Sequence, residues 1–246
     1  MNKPDPNPKS VFISLSLFAM AMGFLAAIIV LYIREISYPE GFTFPLNPLP
    51  PKLIKAELIR ELSTLVMLLT VAWLTGKTFL RRLNAFLFIF GISDIFYYVA
   101  LKLFIDWPES LLTWDILFLI PVIWIGPVLA PLICSVIMII MAACFEWMKT
   151  KNRIILLRWY ELLIIITGAI IVYITFTYDF GVIILQENYL SHLFSLAENT
   201  EFNRILTNYI PTEFKWGTFT VGITIIVFGS VLIFLRSFNK YNRKKK

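Results

Sequence analysis

Residues 11–33 form a run of 23 positions without one charged side chain. A helix needs roughly 20 apolar residues to cross about 30 Å of hydrocarbon, so this run fits a membrane span. It is too long for the hydrophobic region of a signal peptide, and no clear small-residue cleavage site precedes Arg34. We read it as a retained first span. Five further segments meet the same requirement, at about 58–76, 83–105, 127–148, 159–178 and 216–235. With 59% of its residues hydrophobic and only 15% charged, the chain lies outside the range of soluble domains. The excess has to be dissolved in lipid.

The stretch 111–125 breaks the pattern. It is apolar, yet Pro121 interrupts it, and Gly126, Pro127 and Pro131 follow directly. Fifteen residues of helix rise only about 22 Å, so the segment does not cross. The sequence predicts that it dips into one end of the bundle and turns back at Gly126-Pro127, with its freed backbone groups covered by protein. The expected fold is all-α: one membrane domain over 1–246, a polytopic bundle of six transmembrane helices plus this non-spanning, proline-broken segment on the outer side.

Basic residues give the orientation. With the N-terminus inside, Arg34, Lys52, Lys55, Arg60, Lys102, Arg204 and Lys215 fall outside, making 7 of the 22, and the other 15 fall in short inside segments. Cytoplasmic loops carry this excess, so both termini are expected in the cytoplasm of a bacterial-type inner membrane. Residues 39–51 hold too many prolines for regular structure and are expected to cover the outer mouth as an extended segment. The longer outer stretch 181–212 carries apolar spacings at Leu190, Leu193 and Ala197 and at Phe202, Ile205, Leu206 and Tyr209. These predict two short amphipathic helices at the interface.

Asp94 is the residue that bears most on function. A carboxylate in mid-span is costly and faces a bundle interior, a cavity or a partner. Tyr98 and Lys102 follow at i+4 and i+8 on the same helical face, beside Tyr97. Arg60 and Glu61, with Glu57 and Thr64, form a second polar face at the outer end of span two, and Arg60 is placed to pair with Asp94 or Asp115. The candidate polar pathway is therefore Asp94, Tyr98, Lys102, Arg60, Glu61 and Asp115. Its functional reading is a proton or substrate route; its architectural reading is an ion-pair and hydrogen-bond network. The run Asp106-Trp107-Pro108-Glu109, with Trp114-Asp115 and Trp124, is the densest unusual patch. It reads either as a cavity-lining broken element or as a rigid cap. Glu146 and Glu161 flank the basic stretch from Lys149 to Arg158 as balancing interfacial charges.

The residues point away from familiar catalysis. G-x-S-x-G, H-E-x-x-H and G-x-x-x-x-G-K-[ST] are all missing from the sequence. The sole histidine, His192, cannot by itself supply bis-histidine haem ligation or a zinc site. Cys134 and Cys144 are ten residues apart in one helical stretch, about 15 Å, beyond disulfide reach. No metal or cofactor is expected, and no catalytic residue is identified. The expected partners are the lipid bilayer, other membrane subunits or further copies of the chain, and not nucleic acid. The first functional reading is a non-catalytic structural or accessory subunit of a membrane assembly. The alternative is a small transporter or proton-coupled permease using Asp94, and a third is an outer-leaflet enzyme. Whether the Asp94 stripe borders a cavity that reaches past Asp115 separates the first two.

Overall fold

A computed structural model describes residues 8–47, 49–151, 153, 155, 157–186 and 200–244. Among these residues, six helices are long and apolar enough to cross a membrane: α1 (Pro8–Ser37), α2 (Pro51–Thr75), α3 (Phe79–Ile105), α4 (Leu129–Thr150), α5 (Trp159–Gln186) and α7 (Trp216–Lys244). The short α6 (Thr200–Asn208) precedes the last of them. It corresponds to the second of the two expected amphipathic helices; the first, around Leu190 to Ala197 and with it His192, lies outside the described residues. Several helices outrun their apolar stretches. α1 continues through Arg34, and α2 starts at Pro51, where a missing N–H costs nothing. Glu57, Arg60 and Glu61 are therefore held in regular helix rather than in a loop.

α3 is the central element, with α1, α2 and α4 packed around it, while α5 pairs with α7. Between helices in lipid there is no large hydrophobic driving force, so close approach at small residues matters. A Cβ on Gly91 of α3 would stand 2.7 Å from the Ser135 carbonyl of α4. One on Gly168 of α5 would stand 2.7 Å from the Gly222 carbonyl of α7. At the end remote from the 111–125 segment, Arg236 of α7 clamps Glu161 of α5 through Nε and Nη2 at 2.6 and 2.7 Å, and Glu161 also accepts the Arg158 N–H at 3.0 Å. Glu146 pairs with Lys149 at 3.0 Å. Both Cys134 and Cys144 are free thiols.

The 111–125 segment does not span, but its path differs from the expected one. It forms a two-stranded antiparallel hairpin, β1 (Trp114–Phe118) and β2 (Trp124–Pro127), with Asp115 opposite Gly126 and Ile116 opposite Ile125. The reversal lies at 119–123, around the cis Ile120–Pro121 bond, and not at Gly126-Pro127. Gly126 serves close approach instead: a Cβ there would stand 3.1 Å from the Phe176 ring. The hairpin sits between α3 and α5. Ile125 is buried with Phe180 and Ile184 of α5, and Trp124 stacks on Phe176 of α5.

Residues 38–50 contain neither helix nor strand among those described and cover the hairpin end, as the prolines predict. Tyr38 and Leu46 are buried there, the Asn47 N–H donates to Tyr38 Oη at 3.0 Å, and Phe42 lies edge-on to Trp107.

Candidate functional site

Non-helical backbone at membrane depth is tolerated only where protein satisfies its polar groups, and two carboxylates meet that need at the hairpin. Glu61, 4% exposed, accepts the Leu119 N–H at the hairpin turn through both oxygens, at 3.1 and 3.0 Å. Asp115, 1% exposed, accepts from Arg34 Nη2 at 2.8 Å, from the Ile116 N–H at 2.9 Å and from Tyr98 Oη at 3.2 Å. The hairpin is thereby tied to α2 through Glu61, to α1 through Arg34 and to α3 through Tyr98. The Arg34 guanidinium lies 3.8 Å from the Trp107 ring centroid and 4.4 Å from that of Phe42. Aromatic faces replace part of the hydration it gives up. Burial pushes the Asp115 carboxyl above its ordinary value, and the Arg34 charge is the largest of the effects holding it down.

Asp94 belongs to a different contact. Its Oδ2 accepts from Ser135 Oγ of α4 at 2.7 Å, an approach made possible by Gly91 one turn away. Among the described residues no basic side chain lies within ion-pair distance of Asp94. Arg60 is turned elsewhere: its Nε donates to Glu57 at 2.8 Å, and its Nη2 stands 3.8 Å from Glu61.

The structure therefore joins Tyr98 with Asp115, and Arg60 with Glu61, but does not join Arg60 to Asp94 or to Asp115. Lys102 leaves the stripe altogether. Its ammonium closes the end of α3, 2.7 Å from Asp106 Oδ1 and 3.1 Å from the Pro108 carbonyl. Asp106 adopts a left-handed conformation there, φ 51°, and brings its carboxylate back toward the helix terminus. Three participants were absent from the sequence candidates: Arg34, Ser135 and the Leu119 N–H. Arg34 left a signal, being the only basic residue between Lys9 and Lys52. Ser135 and the Leu119 amide left none, since nothing in their neighbourhood marks a contact with a distant helix.

The groups converge on one cavity of about 1090 Å³, lined by α1, α2, α3, α4, α5, α7 and the hairpin. Ligand sites commonly measure about 300–1,000 Å³. Six charged residues line it: Arg34, Glu57, Arg60, Glu61, Asp94 and Asp115. They gather toward the hairpin end, and the wall beyond them is mostly apolar, with residues such as Leu68, Met138, Ile165 and Phe234. Asp94 is half-buried and borders this space, as do Tyr97 and Tyr98. Among the described residues no group of three or more histidine, cysteine or acidic side chains is arranged to hold a metal ion.

No protein-family model matches this chain, and neither a curated protein nor a solved structure matches it.

Proposed function

We propose that the chain is a small proton-coupled permease in which Asp94 carries the coupling proton. One observation supports this above the others: Asp94, without a cation paired to it, borders a cavity that also reaches Asp115. A purely structural subunit called for a sealed and fully paired stripe. An intramembrane carboxyl on a cavity large enough for a solute instead fits a transport pathway. Arg34, Tyr98, Asp115, Glu61 and the Leu119 amide belong in this reading to the scaffold that holds the hairpin. Arg60 stays with Glu57 and Glu61 at the cavity wall, and Lys102 takes no part.

The setting we propose is a bacterial-type inner membrane with both termini cytoplasmic and the hairpin toward the outer side, on the strength of the basic-residue bias. Other membrane subunits or further copies of the chain remain compatible partners. The test needs no known substrate. Protein reconstituted in liposomes on a solid support is given a pH jump, and the charge displaced by proton binding is recorded. Wild-type protein should give a transient current, and Asp94→Asn, purified as a monodisperse species, should lose it, because an amide cannot titrate. Equal currents from the two would remove Asp94 from any proton route.

A further inference from the structure

The cavity has features that a route for protons alone does not require. Beyond the charged end its wall is mostly apolar, from Leu68 and Leu87 to Met141 and Phe234, with Asn84 and Ser230 among its neutral polar side chains. Its flank is also unsealed. α2 packs against α3 and α5 against α7, and no close-packed seam joins α2 to α5 among the described residues. The hairpin bridges these two helices only at one end, through Glu61 and Phe176. Below it, the facing parts of α2 and α5 belong to two helices long and apolar enough to cross a membrane, so on the permease reading an occupant enters sideways from lipid.

Charge selects among such occupants. Four carboxyls but only two guanidinium groups line the cavity. Arg34 pairs with Asp115 through Nη2 and Arg60 with Glu57 through Oε1, with Arg34 Nη1 and Glu57 Oε2 making no hydrogen bond among the described residues, and Glu61 is occupied by the Leu119 amide. That leaves Asp94, whose one hydrogen bond comes from a neutral hydroxyl. Phe90 and Tyr97, at i−4 and i+3 from it, also line the cavity, and aromatic faces beside a carboxylate favour an ammonium group.

We infer that the cavity binds a cationic amphiphile, with its ammonium head at Asp94 and its hydrocarbon tail along the apolar wall between α2 and α5. This rests on the permease reading for its coupling: Asp94 holds either a proton or the cation, so binding one cation releases one proton and the two compete. The charged and titratable groups that line the cavity with Asp94 are Tyr97 and Tyr98 on α3, Cys134 and Cys144 on α4, Tyr173 on α5, Asp115 on the hairpin, Arg34 on α1, Tyr38 after it, and Glu57, Arg60 and Glu61 on α2. Asp94 is the one among the carboxyls not already engaged by an arginine or a backbone amide.

The probes are dodecyltrimethylammonium and dodecyl sulfate brominated in the chain, added to the full-length protein in lipid nanodiscs. Quenching of Trp124, which lines the cavity, reports occupancy, with Trp124→Phe identifying the signal and empty nanodiscs correcting for partition into lipid. The cation should quench saturably with an apparent affinity at least tenfold tighter than the anion. Its binding should weaken as pH falls and weaken about tenfold in Asp94→Asn, and it should be retained in Asp94→Glu. Equal binding of the two probes, or cation binding indifferent to both pH and Asp94→Asn, overturns the inference. Should Asp94→Asn fail to fold, the wild-type charge preference and its pH dependence decide the matter. Selective cation binding without a pH-jump current sinks the permease reading and leaves the site standing; a current without cation selectivity does the reverse.

Discussion

Arg34 and Asp115 show how a few side chains make an irregular segment tolerable inside a helical bundle. Each is almost fully buried, and an ion pair taken out of water is stabilising only when its remaining hydrogen-bonding capacity is met. Asp115 accepts from three donors, while Arg34 meets its capacity only in part: its guanidinium lies against Trp107 and Phe42, and its Nη1 makes no hydrogen bond among the described residues. Removing one partner strands the other charge. Arg34→Ala should therefore destabilise the protein by about 3–5 kcal/mol, read as thermal unfolding in a mild detergent. The double replacement Arg34→Met with Asp115→Leu should recover part of that loss, since neither charge is then stranded although Tyr98 Oη and the Ile116 N–H lose their acceptor; a double variant no more stable than the single one would contradict this account. Tyr209 gives a pH-dependent counterpart. Burial raises its phenol above the ordinary value, and its bond to Asp179 of α5 raises it further. The fold favours the neutral phenol, so the contribution is present below the ordinary tyrosine value of about 10 and fades as pH rises through the folded one. Stability followed through the alkaline range should show this loss in wild type, and Tyr209→Phe should lack it.

Among the elements, the hairpin contributes residues 115–119 and Trp124 to the cavity wall. Its strands are short, with burial on the side packed against α5, and its turn holds to α2 through the Leu119 amide and Glu61. A buried donor left without an acceptor costs about 1–3 kcal/mol. Glu61→Ala should accordingly speed hydrogen exchange at Leu119 and lower stability in that range, while the α5–α7 pair, clamped at the other end by Glu161 and Arg236, keeps its protection. Protection at Leu119 unchanged by the substitution would mean that the tether contributes nothing. The sequence located the hairpin as a non-spanning break from its prolines and its short apolar run. It did not reveal strand pairing, because an apolar run of this length reads alike as a buried strand or a piece of helix. Gly126-Pro127 looked like a turn, whereas the glycine there makes room for Phe176.

For the whole molecule, the helices fall into a cluster around α3 and the α5–α7 pair, with the cavity between them. The proposed orientation has a direct check. Single cysteines introduced between Pro45 and Lys52 should react with a membrane-impermeant maleimide added from outside intact cells, while those beside Arg81 or Arg153 should react only after permeabilisation. Labelling of the Arg153 position from outside would reverse the topology.

Six spans and a break at 111–125 were legible in the sequence because lipid imposes a local rule. Each crossing must supply its own run of apolar residues and satisfy its own backbone hydrogen bonds, and such runs can be counted without knowing what touches what. The rarity of charge also made Asp94, Glu61 and Asp115 visible as residues that require an environment. Which environment each received was decided only by tertiary structure. Helical spacing aligned Asp94, Tyr98 and Lys102, yet Tyr98 reaches Asp115 on the hairpin, Lys102 folds back onto Asp106, and Asp94 meets Ser135. Partners in these contacts stand as far as 41 residues apart, and Arg34 and Asp115 stand 81 apart. Periodicity determines which face of a helix a side chain occupies, but its partner follows from how helices cross, and that depends on close approaches at positions such as Gly91 and Gly168 that single-helix patterns do not encode.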